Sequence, residues 1–167
     1  MILTMDERRK VENTANEFMA SHNAIRPPVD VENLANKLGL RVERVEFDDD
    51  RKEGYIDPTT KLLAINKQLS PRRARSVIAH EIGHIELEHA GVSFCLRGGR
   101  STKEELAADY FARIILMPER LMRIAVDYFN TNNNDVKSFD SLQIFISRLF
   151  DVAEDKALIR LMELGVE

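Results

Sequence analysis

Apolar residues recur along most of this chain at helical spacing, with one stretch between residues 40 and 66 that shortens to the period of strands. Val11, Ala15, Phe18 and Met19 share one face of a helix that Thr4-x-x-Glu7, a capping box, would open and that ends near Ser21. Beyond the break at Pro27-Pro28, Asp30 can cap a short helix with Val31, Leu34, Ala35 and Leu38 inward and Gly39 as its stop. Leu40, Val42, Val45 and Phe47 alternate imperfectly and predict a strand. Residues 54–57 and 62–66 read as two more, joined by a turn at Pro58-Thr59-Thr60. Ser70-Pro71 supplies an N-cap and a proline at the first helical position, opening a helix expected to run to about His89. Residues 90–101 contain three glycines and read as a loop. Helices follow over about 102–117, 119–129, 140–150 and 153–164, with a break at Pro118 and an Asn-rich exposed turn at 131–135. Helix, small sheet, then helices predicts an α+β fold, mainly helical, with an about three-stranded sheet and a C-terminal helical bundle. No linker divides the chain, so a single domain over 1–167 is expected: an N-terminal helix (1–27), a core (28–118) and C-terminal helices (119–167).

The bulk numbers narrow the class without naming a chemistry. A hydrophobic share of 44% with 31% charged residues is that of a soluble globular domain. A net charge of −4 gives no general reason to expect nucleic-acid binding. Cys95 is the sole cysteine, so no intrachain disulfide can form, as suits a reducing compartment. The N-terminus turns charged at Asp6-Glu7 without an apolar secretory core, and no run has the length of a membrane span. A cytoplasmic protein that does not enter a membrane is expected.

Candidate chemistry concentrates in His80-Glu81-Ile82-Gly83-His84. Positions i and i+4 of a helix lie about 40° apart, so both imidazoles can reach one metal ion while Glu81, on the rim of that face, can touch a water on it. This is the zinc-peptidase signature, and a catalytic zinc needs three protein ligands with a fourth position left for water. Acids after residue 90 can complete it, and Glu105 with Asp109 is the best pair: four apart on a predicted helix, one can bind the metal while the other accepts the free ring N–H of a ligand histidine. Glu104 ranks lower, because Ala108 stands where its partner acid would be. His89 falls about 140° round from His84 and faces away unless the helix breaks. Alanines at 107, 108 and 112, and Gly83 opposite, would let the two helices approach closely. Two imidazoles and a carboxylate suit Zn2+. The chemistry is then hydrolysis of a peptide bond with Glu81 as general base, the substrate lying extended along a strand edge near Leu62 to Asn66. Tyr55, Tyr110 and Tyr128 are open candidates for an oxyanion donor.

At these residues the chain resembles the ImmA/IrrE metallo-endopeptidases. The likeness runs from Pro28-Val-Asp-Val-Glu-Asn-Leu-Ala-Asn-Lys-Leu-Gly-Leu40 through Gly54-Tyr-Ile-Asp57 and the strand ending at Asn66. It continues to Ala79-His-Glu-Ile-Gly-His84 and Glu105-Leu-Ala-Ala-Asp-Tyr-Phe-Ala-Arg-Ile-Ile-Leu-Met-Pro118. Asp109 stands where that family commonly has Asn; the same Glu-x-x-x-Asp spacing occurs in gluzincins, where the Asp orients a ligand. The resemblance implies a zincin-like minimal peptidase domain with His80, His84 and Glu105 on the metal, Asp109 behind them and Glu81 catalytic. It also implies a protein substrate, a helix-turn-helix repressor of phage or mobile-element type, whose cleavage relieves repression.

Two other readings compete. One is a regulator that keeps the fold and metal but acts by binding. The other is a DNA-binding protein using the helix-turn-helix-like pair after residue 139, with Phe150-Asp151-Val152 as its turn. The last helix sets Glu154, Asp155 and Glu163 against only Lys156 and Arg160, so direct nucleic-acid binding is not expected and packing or partner docking is preferred. Arg72, Arg73 and Arg75 are read as a solvated face or ion pairs, Cys95 as a packing cysteine, and His89 as a structural hydrogen-bonding group.

Overall fold

A computed structural model describes residues 2–22, 26–89, 93–96, 102–132 and 138–166. In chain order these form α1 (Met5–His22), α2 (Val31–Lys37), β1 (Arg41–Val45), β2 (Lys52–Asp57), β3 (Leu62–Asn66), α3 (Pro71–Glu86) and β4 (Ser93–Leu96). Then come α4 (Lys103–Leu116), α5 (Glu119–Asn132), α6 (Phe139–Phe150) and α7 (Glu154–Glu163). The fold is α+β and mainly helical. Local chemistry sets the helix starts. The Thr4 N–H donates to Glu7 Oε2 at 2.7 Å and the Glu7 N–H to Thr4 Oγ1 at 3.3 Å, closing the capping box. Asp30, Ser70, Thr102 and Ser138 each accept an N–H of the first turn they cap, an interaction generally worth about 1 kcal/mol.

The sheet has four strands in the order β1-β3-β2-β4, one more than the sequence suggests. The fourth comes from within the glycine-flanked segment read as a loop; the rest of that segment, 90–92 and 97–101, lies outside the described residues. β3 runs parallel to β1 and antiparallel to β2, and β4 pairs antiparallel with β2, setting Tyr55 opposite Phe94. β3 is therefore an inner strand with both edges paired, and the expectation of an open edge at Leu62 to Asn66 is wrong. Among the described strands, β1 and β4 carry the free edges.

Leu63, Ile65 and Ile56 bury their side chains in a core shared with Val77, Ile78 and Ile82 of α3 and with Phe111 and Ile115 of α4. Two glycines set how closely the layers meet. A Cβ on Gly54 would lie 2.5 Å from Val77 Cγ1 and 3.3 Å from Glu81 Oε1, so β2 can lie on α3 only without a side chain there. A Cβ on Gly83 would lie 3.1 Å from the carbonyl oxygen of Ala108, so α3 and α4 approach backbone to backbone.

Helix α3 stops at Glu86, three residues before the expected His89. Leu87 caps it, and Glu88 adopts a left-handed φ of 56°. Helix α5 runs on to Asn132, into the segment read as a turn, whose residues 133–135 lie outside the described residues. At the C-terminal end, α6 and α7 pack together across a turn in which Asp151 has φ 51°. Asp151 receives Arg72 at 3.1 Å and Arg75 at 3.4 Å, while Arg73 is bound to the buried Glu53, so the basic start of α3 is an ion-pair cluster. Arg160 is 4% exposed and donates to the Met117 carbonyl at 3.1 Å, which turns a basic group of α7 inward, away from any ligand outside. No helix among the described residues is long and apolar enough to cross a membrane.

Val77 is branched at Cβ and fully packed, so it cannot swing aside for a new methyl group. Gly54→Ala is expected to lose about 1–3 kcal/mol of stability by overpacking. In urea denaturation the midpoint falls with an unchanged slope; an unchanged midpoint would show that β2 and α3 are not in the close contact described.

Candidate metal centre

The centre is built where α3 crosses α4. One helical turn of α3 sets His80 and His84 on the same face, both 5% exposed, and their Nε2 atoms point to one place, 3.0 Å apart. Thr102 starts α4 so that Glu105 lies in its first turn, facing them. Glu105 Oε2 is 3.1 Å from His80 Nε2, and Oε1 is 3.4 Å from His84 Nε2. Donors around a tetrahedral ion at about 2.0–2.2 Å stand about 3.3–3.6 Å from one another. Two imidazole nitrogens and the two oxygens of one carboxylate, with contacts of 3.0–3.4 Å between the three residues, leave a position for one cation, and His80, His84 and Glu105 could hold a metal ion.

The remaining ring nitrogens are also engaged. His80 Nδ1 is 3.0 Å from Asp109 Oδ1, one turn along α4 from Glu105. A carboxylate only accepts, so His80 carries a hydrogen on Nδ1 and turns Nε2 toward the other donors. His84 Nδ1 lies 2.9 Å from His89 Nδ1. Burial first, and the charge of His84 next, hold the His89 imidazole below its ordinary pKa, so at pH 7 it is neutral and can accept the His84 N–H. The left-handed turn at Glu88 is what brings His89 back. His89 thus serves the structural hydrogen-bonding role expected of it, with His84 as its partner. No glycine or proline at positions 85–88 announces the break, so the partner could not be read in advance.

Glu81 points toward the sheet beside Gly54, with one carboxylate oxygen within 4.8 Å of a His80 nitrogen. It is 0% exposed, and neither carboxylate oxygen has a hydrogen-bond partner among the described residues. Burial first, with Glu105 adding to it and His80 opposing, pushes its pKa up to about 8. A buried carboxyl without partners costs stability, so its retention calls for a chemical reason. Cys95 lies nearby on β4, buried, with its thiol pushed well up by desolvation. Its sulfur, a nitrogen of His80 and an oxygen of Glu81 lie within 4.8 Å of one another, a second set that shares His80 with the first. Alternating apolar residues between glycines, Val92 to Leu96, were the available sign of this strand.

The other candidates fall elsewhere. Glu104 is exposed, outside the cluster. The Tyr110 hydroxyl is bound to Glu12, between Arg8 and Arg113, and Tyr128 is exposed and stacked on Phe145. Tyr55 follows Gly54 on β2, so it faces away from α3. None of the three is among the residues gathered around the donors.

The family model for the IrrE N-terminal-like domain, Peptidase_M78, matches residues 35–162, well over half of the chain. Among solved structures, a Mycobacterium tuberculosis transcriptional regulator is similar with a TM-score of 0.64 at 18% identity, over 92% of this chain and 46% of that one. At that identity the likeness is one of fold, and the chain spans less than half the length of the regulator. No curated protein matches the chain by sequence.

In the metal-free protein, burial opposes a proton on His80, but hydrogen bonds to Asp109 and Glu105 and the charge of Glu81 outweigh it and raise the imidazole to about 10. Burial likewise opposes charge on Glu105, and its bonds to His80 and His84 win, lowering it to about 2. At pH 7 a cation must therefore displace a proton from His80 but none from Glu105. Affinity for zinc is expected to rise with pH, roughly tenfold per unit for each proton displaced. Titration calorimetry in two buffers of different ionisation enthalpy should show proton release; a heat independent of buffer would contradict this electrostatic picture.

Proposed function

The chain belongs to the IrrE N-terminal-like family of peptidase domains, and on that premise we propose that it is a zinc-dependent endopeptidase acting on a protein partner. We assign His80, His84 and Glu105 as the metal ligands, Asp109 and His89 as the groups that orient the two histidines, and Glu81 as general base. Residues 1–167 are read as one such domain, working in the cytoplasm.

Zinc held by two imidazoles and a carboxylate supplies an activated water at neutral pH and a Lewis acid for the scissile carbonyl. The chain's own residues do the rest. Asp109 and His89 fix the ring planes, so both Nε2 atoms already point inward before a cation arrives. Burial leaves Glu81 protonated near neutrality in the metal-free protein, and a dication within reach favours the carboxylate, so the base is armed only in the loaded site. As carboxylate it takes the proton of the attacking water and returns it to the departing amine. The free edge of β4, beside Glu81 and Cys95, is where an extended substrate strand can add to the sheet through backbone hydrogen bonds.

The single observation that carries this reading is the fully buried, unpartnered carboxyl of Glu81 beside three converged donors. A protein that used its metal only for structure or for binding would gain nothing from that cost. For substrate we propose a helix-turn-helix repressor, as the resemblance of the sequence implies. The test incubates zinc-loaded chain with the helix-turn-helix repressor encoded nearest to it and resolves the products on a gel, with a chelator control. Glu81→Gln is expected to bind zinc as the parent does and to lower cleavage by about 10²–10⁴-fold. Turnover retained in that variant would refute the general-base role.

A further inference from the structure

Beside the candidate metal centre, on the side of Asp109, a pocket opens whose floor and walls come from three helices, a turn and Cys95 of β4. Val77 of α3, Ala112 and Leu116 of α4, Met117 and Val152 make it apolar, and His80 and Asp109 form the wall it shares with the centre. Its cavity of about 40 Å³ has room for roughly three water-sized atoms, at about 10–15 Å³ each. That matches the branched end of a valine or leucine side chain and is too small for an aromatic ring.

Three cations stand round this pocket: Arg73, Arg113 and Lys156. Arg73 is bound to Glu53, and Arg113 to Glu163 at 2.9 Å. The carboxylate of Asp109 is bound to His80. The Lys156 ammonium, projecting from the first turn of α7, has no ion-pair or hydrogen-bond partner among the described residues. The pocket therefore offers an incoming chain an apolar hole next to the reacting position and, at its rim, an ammonium that is held in no close ion pair among the described residues and whose field reaches the Asp109 carboxylate.

We propose that this pocket is a specificity subsite: it takes a short aliphatic side chain next to the scissile bond, and Lys156 selects an acidic residue within two positions of it. The inference rests on the peptidase reading for where the bond is cut, but the pocket and its charge are features of the chain itself. It also gives the last helices a task. The α6–α7 turn and α7 close the substrate pocket through Val152 and Lys156, while Arg160 on the same helix is spent on Met117 and Glu163.

Two measurements test this. Zinc-loaded chain is incubated with a mixture of short unstructured peptides randomised at their central positions, and the bonds cut are mapped by mass spectrometry. In parallel, fluorescein-labelled Gly/Ser peptides carrying a central Leu-Asp, Leu-Lys or Trp-Asp are bound to zinc-loaded protein and followed by anisotropy. Cuts are expected beside valine or leucine with Asp or Glu within two positions, and Leu-Asp is expected to bind best. Lys156→Glu should move the preference from acidic to basic neighbours by roughly tenfold, since one exposed charge pair is unmade and another made. Cuts without this enrichment, or an unchanged pattern in Lys156→Glu, would overturn the subsite and leave the peptidase reading standing. Absence of cuts, with Leu-Asp binding still inverted by Lys156→Glu, would overturn the peptidase reading and keep the subsite. Absence of both cuts and binding preference would remove both.

Discussion

Helices α3 and α4 cross so closely that a Cβ at Gly83 would meet the Ala108 backbone at 3.1–3.2 Å, and the candidate metal centre depends on that contact. Gly83 lies one residue before His84 and presses on the Ala108 backbone, one residue before Asp109. The two acids of α4 can then reach the two histidines of α3 on a single short lever arm each. A larger residue at either position would press the helices apart by a few tenths of an ångström, drawing Glu105 away from the two imidazoles it now meets at 3.1 and 3.4 Å. Gly83 gives up about 1 kcal/mol of helix propensity relative to alanine for this approach.

The same economy of space governs the other side of α3. Glycine at position 54 lets the sheet settle on Val77 and Glu81, which removes water from the Glu81 carboxyl and raises its pKa to about 8. Two charge environments thus meet on adjacent residues of one helix. His80 sits among carboxylates that stabilise a positive neighbour, and Glu81 sits in an apolar layer that resists charge until a cation is present. The acidic side of α4 and the apolar side of the sheet produce this difference together, and neither alone would.

Much of this was legible in the sequence, for a local reason. Helical period places His80 with His84 and Glu105 with Asp109, and caps at Ser70 and Thr102 fix where those periods begin. What escaped depends on packing between distant segments. The parallel pairing of β1 with β3, which removes the open edge expected at residues 62–66, leaves no local mark. β4 is four residues long and was hidden among glycines. His89 reaches His84 through a left-handed Glu88, a conformation that the residue type does not advertise. Lys156 comes to line the pocket beside His80 across an α6–α7 turn whose Asp151 is held by Arg72 and Arg75 of α3.

The central claim is that two imidazoles and the Glu105 carboxylate hold one ion, with the thiol of Cys95 left out. X-ray absorption at the zinc edge of the loaded protein reads this directly. The account predicts a shell of nitrogen and oxygen only, at about 2.0–2.2 Å. A sulfur scatterer at about 2.3 Å would place the ion on Cys95 and contradict it.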